Sequence, residues 1–292
     1  MAEESSLKIL FVINPVAGGN KTDWEPLIRQ HFEQTDLNIA IHTLTGENDV
    51  APIKRIVEKS KPEKVVAVGG DGTVSLVARM LLQTDIALGI LPAGSANGMA
   101  KELGISFIPG EAMNTVVNGT IKNADVIKIN TDQISLHLSD IGLNARLIKN
   151  FDDGKLRGKL GYAKVVLKTL WKKTLMKVHV RIDGQEIIHD AEMVVLANAS
   201  KYGTGAVINP GGNLFDGHFE VVIMHKLALS ELFKMWIRFR PFNPEKMRVF
   251  PATSVDIHTN RKVHFQVDGE YMGKVNKVDA EILAGQLKLI VP

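Results

Sequence analysis

Short apolar runs separated by polar turns predict a regular alternation of strands and helices in the first 125 residues. Four runs rich in β-branched residues predict strands: 7–13, 38–44, 64–68 and 86–91. Apolar residues at helical spacing predict four helices: 24–32, 50–59, 74–82 and 96–103. This alternation is typical of an α/β domain with a mainly parallel sheet, whose sites lie at the carboxyl ends of its strands.

The pattern changes after residue 125, where short β-rich segments with turns between them dominate. The predicted strands are 125–130, 134–139, 177–182, 186–189, 192–198, 219–224, 254–258, 262–267 and 281–291. Such spacing predicts an antiparallel β-sandwich. We therefore predict two domains, 1–125 and 126–292.

Composition limits the classes of protein that this chain can represent. Its 292 residues are 45% apolar and include no cysteine, which excludes disulfides, thiolate metal sites and a cysteine nucleophile. The first six residues are acidic and polar, unlike a signal peptide, and no apolar run reaches the ~18 residues of a membrane-spanning helix. We expect a cytoplasmic protein.

A glycine-rich turn after the third predicted strand is the strongest chemical feature. It runs Gly69-Gly70-Asp71-Gly72-Thr73, with Thr73 as the predicted N-cap of the next helix. Bare backbone amides at a helix N-terminus form a phosphate site. Asp71 would repel phosphate unless a metal or a hydroxyl lies between them, so the turn indicates phosphate, metal and acid–base chemistry. The alternative is a tight strand–helix turn with a solvated aspartate.

Three ordered motifs resemble the diacylglycerol and sphingosine kinase superfamily. They are Gly69 to Thr73, which NAD kinases share, Asn14-Pro15-Val16-Ala17-Gly18-Gly19, and the segment from Leu91 to Gly104. The resemblance covers nearly the whole chain and implies Mg·ATP and a lipid acceptor, with the active site in a cleft between the two domains.

The resemblance also implies which residues contact ATP. They are Asn14, Pro15, Val16, Ala17, Gly18, Thr45, Gly69, Gly70, Asp71, Gly72, Thr73, Val74, Ser75 and Ser95. Ser95 stands where the family usually has threonine. Thr43 lies two residues before Thr45 and competes for its role. For Thr45 and Ser95 the alternative is ordinary loop capping.

Val267-Asp268-Gly269-Glu270 resembles the family's second acidic motif. Two carboxylates around one glycine can point into one cleft. The resemblance implies that Glu270 is the general base, that Asp268 supports it and that Asp71 completes the catalytic set. The alternative is a hairpin turn, because Asp-Gly is a common turn dipeptide.

Two more sites follow from the resemblance. In the segment 209–217, Asp216 with the backbones of Asn213 and His218 is predicted to hold a structural Mg²⁺, which prefers hard oxygen ligands. Asp140 is the candidate for holding the acceptor head group, with a turn or cap as the alternative.

One departure separates this chain from the bacterial diacylglycerol kinases, which usually have an aspartate where Gly98 stands. In those kinases that aspartate belongs to a proposed metal–water network with the residues here numbered Asp71 and Asp125. Sphingosine-kinase-like sequences also lack it. The departure weakens a strict diacylglycerol kinase assignment without excluding activity.

Two basic segments, 155–177 and 232–240, predict peripheral contact with an anionic membrane surface. In the first, Lys164, Lys168 and Lys172 follow one face of an amphipathic helix. The alternative for both segments is packing on the protein's own sheet. Nucleic acid is not expected, because no aromatic stacking platform accompanies the charge. A homodimer stays open.

The sequence thus favours an ATP-dependent lipid kinase. A NAD kinase is the first alternative, and a catalytically silent lipid- or nucleotide-binding protein is the second. The acceptor is left open among diacylglycerol, a sphingoid base, ceramide and an undecaprenol-like alcohol.

Overall fold

A computed structural model describes residues 9–19, 22–152, 175–201, 207–225 and 247–292. The chain divides into two compact units: the first comprises Met1–Ala124 and Gly285–Pro292, and the second comprises Asp125–Ala284. Within the described ranges, no helix is both long and apolar enough to span a membrane.

The described residues form fourteen strands. They are β1 (Ile9–Ile13), β2 (Ile39–Thr43), β3 (Lys64–Gly69), β4 (Ala87–Pro92), β5 (Thr120–Ile129), β6 (Gln133–Ser135), β7 (Leu138–Gly142), β8 (Met176–Ile182), β9 (Gln185–Ala191), β10 (Met193–Ala197), β11 (Phe219–Met224), β12 (Met247–Ala252), β13 (Ser254–Val267) and β14 (Glu270–Val291).

Helices in the described ranges lie mostly in the first unit. They are α1 (Trp24–Phe32), α2 (Val50–Ser60), α3 (Asp71–Leu81), α4 (Gly98–Glu102), α5 (Pro109–Asn118) and α6 (Leu143–Asp152), with a short 3₁₀ turn at Ala17–Gly19.

The first unit is built on a parallel sheet, as the sequence predicts. Its strand order is β2-β1-β3-β4, with parallel pairing at every step. Every residue of β1 and β4 is buried, because helices cover both faces of such a sheet. Parallel pairing brings the loops after β1, β3 and β4 to one edge of the sheet.

The end of the chain corrects the predicted domain boundary. Residues 285–292 were assigned with 126–292 to the second domain, but they belong to the first unit. There Leu289 of β14 pairs in parallel with Leu88 of β4, and Lys288 forms an ion pair with Asp85 at 2.7 Å. The pattern of a long β-rich segment does not show which sheet each half of it joins.

The second unit is antiparallel throughout its described pairings, and it agrees with the predicted β-sandwich. The order β12-β11-β10-β7-β13 continues to β8 and β9, while β14 also pairs with β13. In β8, buried and exposed residues alternate strictly, as expected for a strand with one face on a core.

Several elements differ from the predictions. Helices α5 and α6 and strand β12 were missed, and the separate segments 254–258 and 262–267 form one strand, β13, with an irregular register between them. The basic segment 155–177 lies outside the described residues except for 175–177, and the segment 232–240 lies wholly outside them.

Candidate functional site

Three glycines of the first unit allow the predicted phosphate loops to touch. A Cβ on Gly94 would lie 2.3 Å from the Cα of Gly70, and one on Gly18 would lie 2.6 Å from the carbonyl oxygen of Ala93. Gly18 also has a φ of +65°, a conformation that favours glycine. The loops after β1, β3 and β4 are therefore in backbone contact, and any side chain at these positions would separate them.

Asn14 links the first of these loops to helix α3. Its backbone N–H donates to the carbonyl of Val68 at 2.9 Å, and its side-chain Nδ2 donates to Oγ1 of Thr73 at 3.2 Å. The prediction that Thr73 caps the helix was wrong: α3 begins at Asp71 with Gly70 at the N-cap position. Thr73 is buried inside the first turn, where its hydroxyl oxygen accepts the hydrogen bond from Asn14.

The N-terminus of α3 is the part of this unit best suited to phosphate. The first bond of the helix runs from the N–H of Val74 to the carbonyl of Gly70 at 3.1 Å. The amides before it have no acceptor within an α-helix, and the helix dipole adds positive potential there. Because the N–H of Val74 is already bonded, the N–H groups in this turn that could meet an anion are those of Asp71, Gly72 and Thr73, and their contact with phosphate stays a prediction.

Asp71 caps a second helix. Its carboxylate accepts the N–H of Gly98 at 2.9 Å and the N–H of Met99 at 3.0 Å, at the start of α4. Each oxygen keeps a lone pair for another partner. The glycine that replaces the family's aspartate thus meets Asp71 through its backbone.

The loop that carries Ser95 is held by a residue that the sequence analysis missed. Asn97, with a φ of 50°, accepts the N–H of Gly94 through Oδ1 at 2.8 Å. Its Nδ2 donates back to the carbonyl of Gly94 at 2.7 Å. Ser95 is exposed at the tip of this loop. An asparagine just before a helix could have been recognised as a loop-closing residue.

The other predicted ATP contacts differ in what they can offer. The N–H groups of Val16 and Ala17 donate to Asn14, and Pro15 has no N–H. The side chain of Ser75 is buried within α3. The roles of these residues stay predictions.

Thr45 is bound within its own loop. Asp49 accepts its backbone N–H at 2.8 Å and its hydroxyl at 3.0 Å. These bonds, led by the backbone N–H of Thr45, lower the pKa of the Asp49 carboxyl. The alternative of loop capping therefore describes Thr45 in this structure, and its contact with ATP stays a prediction.

A cavity of about 330 Å³ opens beside the first loop. It is lined by Ile13, Asn14, Pro15, Ala17, Thr22, Asp23, Trp24, Glu25, Thr43 and Ala93. Thr43, which is the alternative to Thr45 as the predicted ATP contact, is among these residues. The sequence analysis missed Trp24 as a site residue, because an apolar residue at the start of a helix indicates core.

In the second unit, Asp268 is the first residue of a two-residue hairpin turn, and Glu270 directly follows that turn. Val267 pairs with Glu270, and the turn residues Asp268 and Gly269 have φ values of 47° and 91°, as in a type I′ turn. Glu270 is exposed at the start of β14. The structure therefore contains the hairpin turn of the alternative interpretation, and it also exposes the carboxylate of Glu270.

Asp268 has different surroundings. Its carboxylate accepts hydrogen bonds from the hydroxyl of Ser135 and from the N–H groups of Leu136, His137 and Leu138, at 2.7 to 3.1 Å. Burial raises the pKa of the Asp268 carboxyl, and these bonds oppose the rise. Asp268 thus organises the segment 135–138, and its predicted support of Glu270 in one cleft stays a prediction.

Asp140 is 1% exposed and serves as an anchor for α6. Its carboxylate accepts the N–H of Ala145 at 2.9 Å, Nδ2 of Asn144 at 2.6 Å and Nε2 of Gln266 at 2.5 Å. The cap alternative describes this residue. Its predicted contact with the acceptor head group stays a prediction.

The predicted metal residues share one turn. The N–H of His218 donates to Oδ1 of Asp216 at 3.1 Å, and the N–H of Gly217 donates to Asp125 at 2.7 Å. Within the described ranges, no three Asp, Glu, His or Cys side chains form a metal cluster. The exposed carboxylate of Asp216 with two main-chain carbonyls is a hard-oxygen donor set, and it fits a Mg²⁺ that keeps several waters.

Glu220 is a further carboxylate near this turn that the sequence analysis missed. Its side chain accepts a hydrogen bond from Nδ2 of the buried Asn209. Burial raises the pKa of the Glu220 carboxyl, and the negative charge of Asp216 adds to the rise. The mostly apolar sequence of β11 gave no sign that its second residue, Glu220, lies beside the turn.

Comparisons with known proteins match both units. Residues 8–129 match the diacylglycerol kinase catalytic domain, and residues 139–291 match the YegS C-terminal NAD kinase beta sandwich-like domain. Among curated relatives, an uncharacterised protein of Synechocystis is 29% identical over 96% of this chain and 69% of its own length. The diacylglycerol kinase of Bacillus subtilis is 26% identical over 84% of each chain.

Solved structures show the same fold. A diacylglycerol kinase from Bacillus anthracis superposes with a TM-score of 0.74 at 21% identity, and the match covers 99% of this chain and 98% of that one. At this identity the likeness concerns the arrangement of strands and helices alone.

Proposed function

The chain belongs to the diacylglycerol kinase family of lipid kinases, and on that premise we propose that it transfers the γ-phosphate of ATP to a hydroxyl of a lipid. The observation that carries the proposal is the contact between the glycine loops after β1, β3 and β4 at the N-terminus of α3. Phosphoryl transfer requires positioned phosphates above all, and closely packed amides at a helix N-terminus position them.

The residues of this chain divide the work in the proposed reaction. The first turn of α3 holds phosphate oxygens, and Asn14 fixes the first loop against that turn through Thr73. Glu270, an exposed carboxylate, takes the proton of the acceptor hydroxyl as general base. Asp268 positions the turn that carries Glu270.

Mg²⁺ would neutralise phosphate charge beside ATP, and Asp71 is the carboxylate of the first unit that stands at the phosphate loop. Asp216, with the carbonyl groups of Asn213 and His218, would hold a structural Mg²⁺. The basic segments 155–177 and 232–240 would bring the protein to an anionic membrane from the cytoplasm.

The decisive measurement is transfer of labelled γ-phosphate from ATP to lipid alcohols in mixed micelles, with NAD as a separate acceptor. The panel contains diacylglycerol, a sphingoid base, ceramide and an undecaprenol-like alcohol. Label in one lipid is the expected result. Label in NAD alone would overturn the lipid assignment.

Glu270→Gln tests the assigned base. Because the carboxylate is exposed, we expect unchanged thermal unfolding and a loss of turnover of about 10²–10⁴-fold. Glu186→Gln, at an exposed position on β9, is the matched control and should keep wild-type turnover. Full activity in Glu270→Gln would remove this residue from the mechanism.

A further inference from the structure

Three side chains that can carry positive charge meet at one end of the antiparallel sheet in the second unit. Arg248 lies at the start of β12, His189 lies near the end of β9, and His225 directly follows β11. Nη1 of Arg248 lies 3.2 Å from Nε2 of His189, and the rings of His189 and His225 stand edge to face with their centroids 4.9 Å apart. His189 thus contacts both of the others, and we call the three residues the basic corner.

The neighbours of the two rings show where their protons lie. Nδ1 of His225 carries a proton, because the backbone carbonyl of Asp190, 2.9 Å away, can only accept. Nε2 of His189 accepts from Arg248, because a guanidinium can only donate, so the His189 ring is neutral in this arrangement. Burial lowers the pKa of His189, repulsion by Arg248 and His225 adds to the effect, and Asp190 opposes it.

The positive charge of Arg248 is not neutralised by an acid. Its guanidinium is exposed, and in the described ranges it has no carboxylate partner. The nearest acid in sequence to His189 is Asp190, which is exposed and pairs with Lys177 across the ladder of β8 and β9. Because successive side chains of a strand alternate between faces, Asp190 points away from the face of the half-buried His189. The guanidinium therefore keeps donors and charge for an anion.

The basic corner is separate from the candidate catalytic hairpin. A row of paired residues at one end of β7, β10, β11 and β12 lies beside it: Gly142, Met193, Met224 and Met247. The hairpin of Glu270 and the predicted metal turn at Asp216 lie at the other end of these strands, beside Leu138 and Phe219. The five residues of β7 between the two ends span roughly 14 Å.

The segments predicted to contact a membrane connect to the same end of the sheet. Segment 232–240 lies in the chain between His225 and Met247, which both stand at this end. Segment 155–177 ends in β8, whose first residue pairs with the last residue of β9. A membrane surface that meets these segments therefore approaches the end of the sheet that carries the basic corner.

We propose that the basic corner binds a phosphate monoester group, at a site distinct from the one proposed for phosphoryl transfer. A guanidinium can hold two phosphate oxygens side by side, and imidazole N–H groups can donate to the others. A tetrahedral anion accepts from several directions, which suits donors that arrive from three strands. The same group occurs in free phosphate and in the head group of an acidic lipid, and the test separates these sources.

NMR titration of the full chain, labelled at histidine, with inorganic phosphate tests the site. The His189 resonance is identified by its loss in His189→Gln. In wild type, phosphate should raise the pKa of the His189 ring, because a neighbouring anion favours the charged form. Arg248→Gln should require about tenfold more phosphate for the same effect, because a charge-assisted hydrogen bond is lost.

Two further variants guard the result against a general loss of structure. Arg248 is exposed, so Arg248→Gln should unfold at the wild-type temperature, and His225→Gln should likewise weaken the response to phosphate. Arg181→Gln is the matched control: it removes an exposed arginine of β8 whose charge is already paired with Glu186 at 3.2 Å. This control should respond to phosphate as wild type does.

Sedimentation with vesicles of phosphatidylcholine that contain either phosphatidic acid, a monoester, or phosphatidylglycerol, a diester, separates the two sources. Weaker binding of Arg248→Gln to phosphatidic acid alone assigns the site to a lipid head group, and unchanged vesicle binding with a weakened phosphate response assigns it to free phosphate. An equal loss on both kinds of vesicle would overturn the inference, because general attraction between charges explains it.

Two results of the titration would also overturn the inference: no effect of phosphate on His189 in wild type, or the same phosphate requirement in wild type and Arg248→Gln. Neither result bears on the kinase proposal, which depends on the glycine loops and Glu270.

Discussion

The carboxylate of Asp268 accepts four hydrogen bonds from the segment 135–138. The sequence places Asp268 two residues from Glu270 in a motif associated with catalysis, yet the structure leaves only Glu270 exposed. A motif identifies the residues that the chemistry requires. It does not show which of these residues the fold uses for structural hydrogen bonds. The same applies to Asp140, whose buried carboxylate anchors α6.

His264 gives a prediction at the level of one residue. Burial lowers the pKa of its ring to about 4 from 6.5, and repulsion by Lys274, Lys149 and Arg146 adds to the effect. Between these values the unfolded chain binds more protons than the folded one. The contribution of the neutral His264 ring to the free energy of unfolding is therefore complete above about pH 6.5, and it is lost as the pH falls toward 4.

Urea unfolding at about pH 7 and about pH 5 measures this contribution. Wild type should lose more stability between the two conditions than His264→Gln does. His179→Gln, which replaces an exposed histidine of β8, should retain the wild-type difference. An equal loss in wild type and His264→Gln would contradict the assignment.

At the scale of elements, the contact between the loops after β3 and β4 predicts how a substitution at Gly94 changes stability. Gly94→Ala places a Cβ 2.3 Å from the Cα of Gly70, and neither backbone segment can yield as a flexible side chain would. We expect a loss of about 1–3 kcal/mol in the free energy of unfolding. The affinity for ATP should fall with it, because the phosphate loops would separate.

Gly110→Ala is the matched control, since a Cβ there meets no atom within 4 Å and the residue lies in the first turn of α5. It should leave stability unchanged or raise it slightly, because alanine favours helix more than glycine does. Thermal unfolding of both variants decides the matter, and equal melting temperatures would refute the steric argument.

Elements of the first unit were predictable because strong local patterns specify them. The buried runs of β1, β3 and β4 and the glycine turn before α3 are legible without tertiary knowledge. The start of α3 was not, because Thr73 is a favourable cap by propensity and only its contact with Asn14 shows that it serves inside the helix. Likewise, the contact of Trp24 with a cavity depends on packing that no local pattern encodes.

At the scale of the whole molecule, the presence of two units and the fold class of each were predictable. Which residues belong to each unit was not. The last eight residues, Gly285–Pro292, follow a long β segment of the second unit and yet belong to the first. Their apolar side chains are buried, from 0% exposure at Leu287 to 6% at Val291. Which sheet receives a strand end is decided by long-range pairing.

Truncation after Ala284 should therefore unfold the first unit. Leu287, Leu289, Ile290 and Val291 would leave the core, a loss on the order of 6–12 kcal/mol, comparable with the stability of a whole domain. Amide hydrogen exchange should show lost protection in β3 and β4. Protection at the wild-type level in β4 would contradict the prediction.

A residue-matched control preserves the strand and changes only its surface. Lys288→Gln removes the exposed ion pair in which Nζ of Lys288 donates a hydrogen bond to the carboxylate of Asp85 at 2.7 Å. Exposed pairs contribute about 0–1 kcal/mol, so this variant should keep the exchange pattern of wild type.

The return of the chain to its first unit also matters during biosynthesis. Chains often fold domain by domain from the N-terminus as the ribosome delivers them. Here the parallel sheet of β1 to β4 has to wait for residues that are translated after the whole second unit. The first unit of the nascent chain therefore stays incomplete while residues 125–284 are translated, and the site proposed for ATP lacks part of its supporting sheet until residues 285–292 have been made.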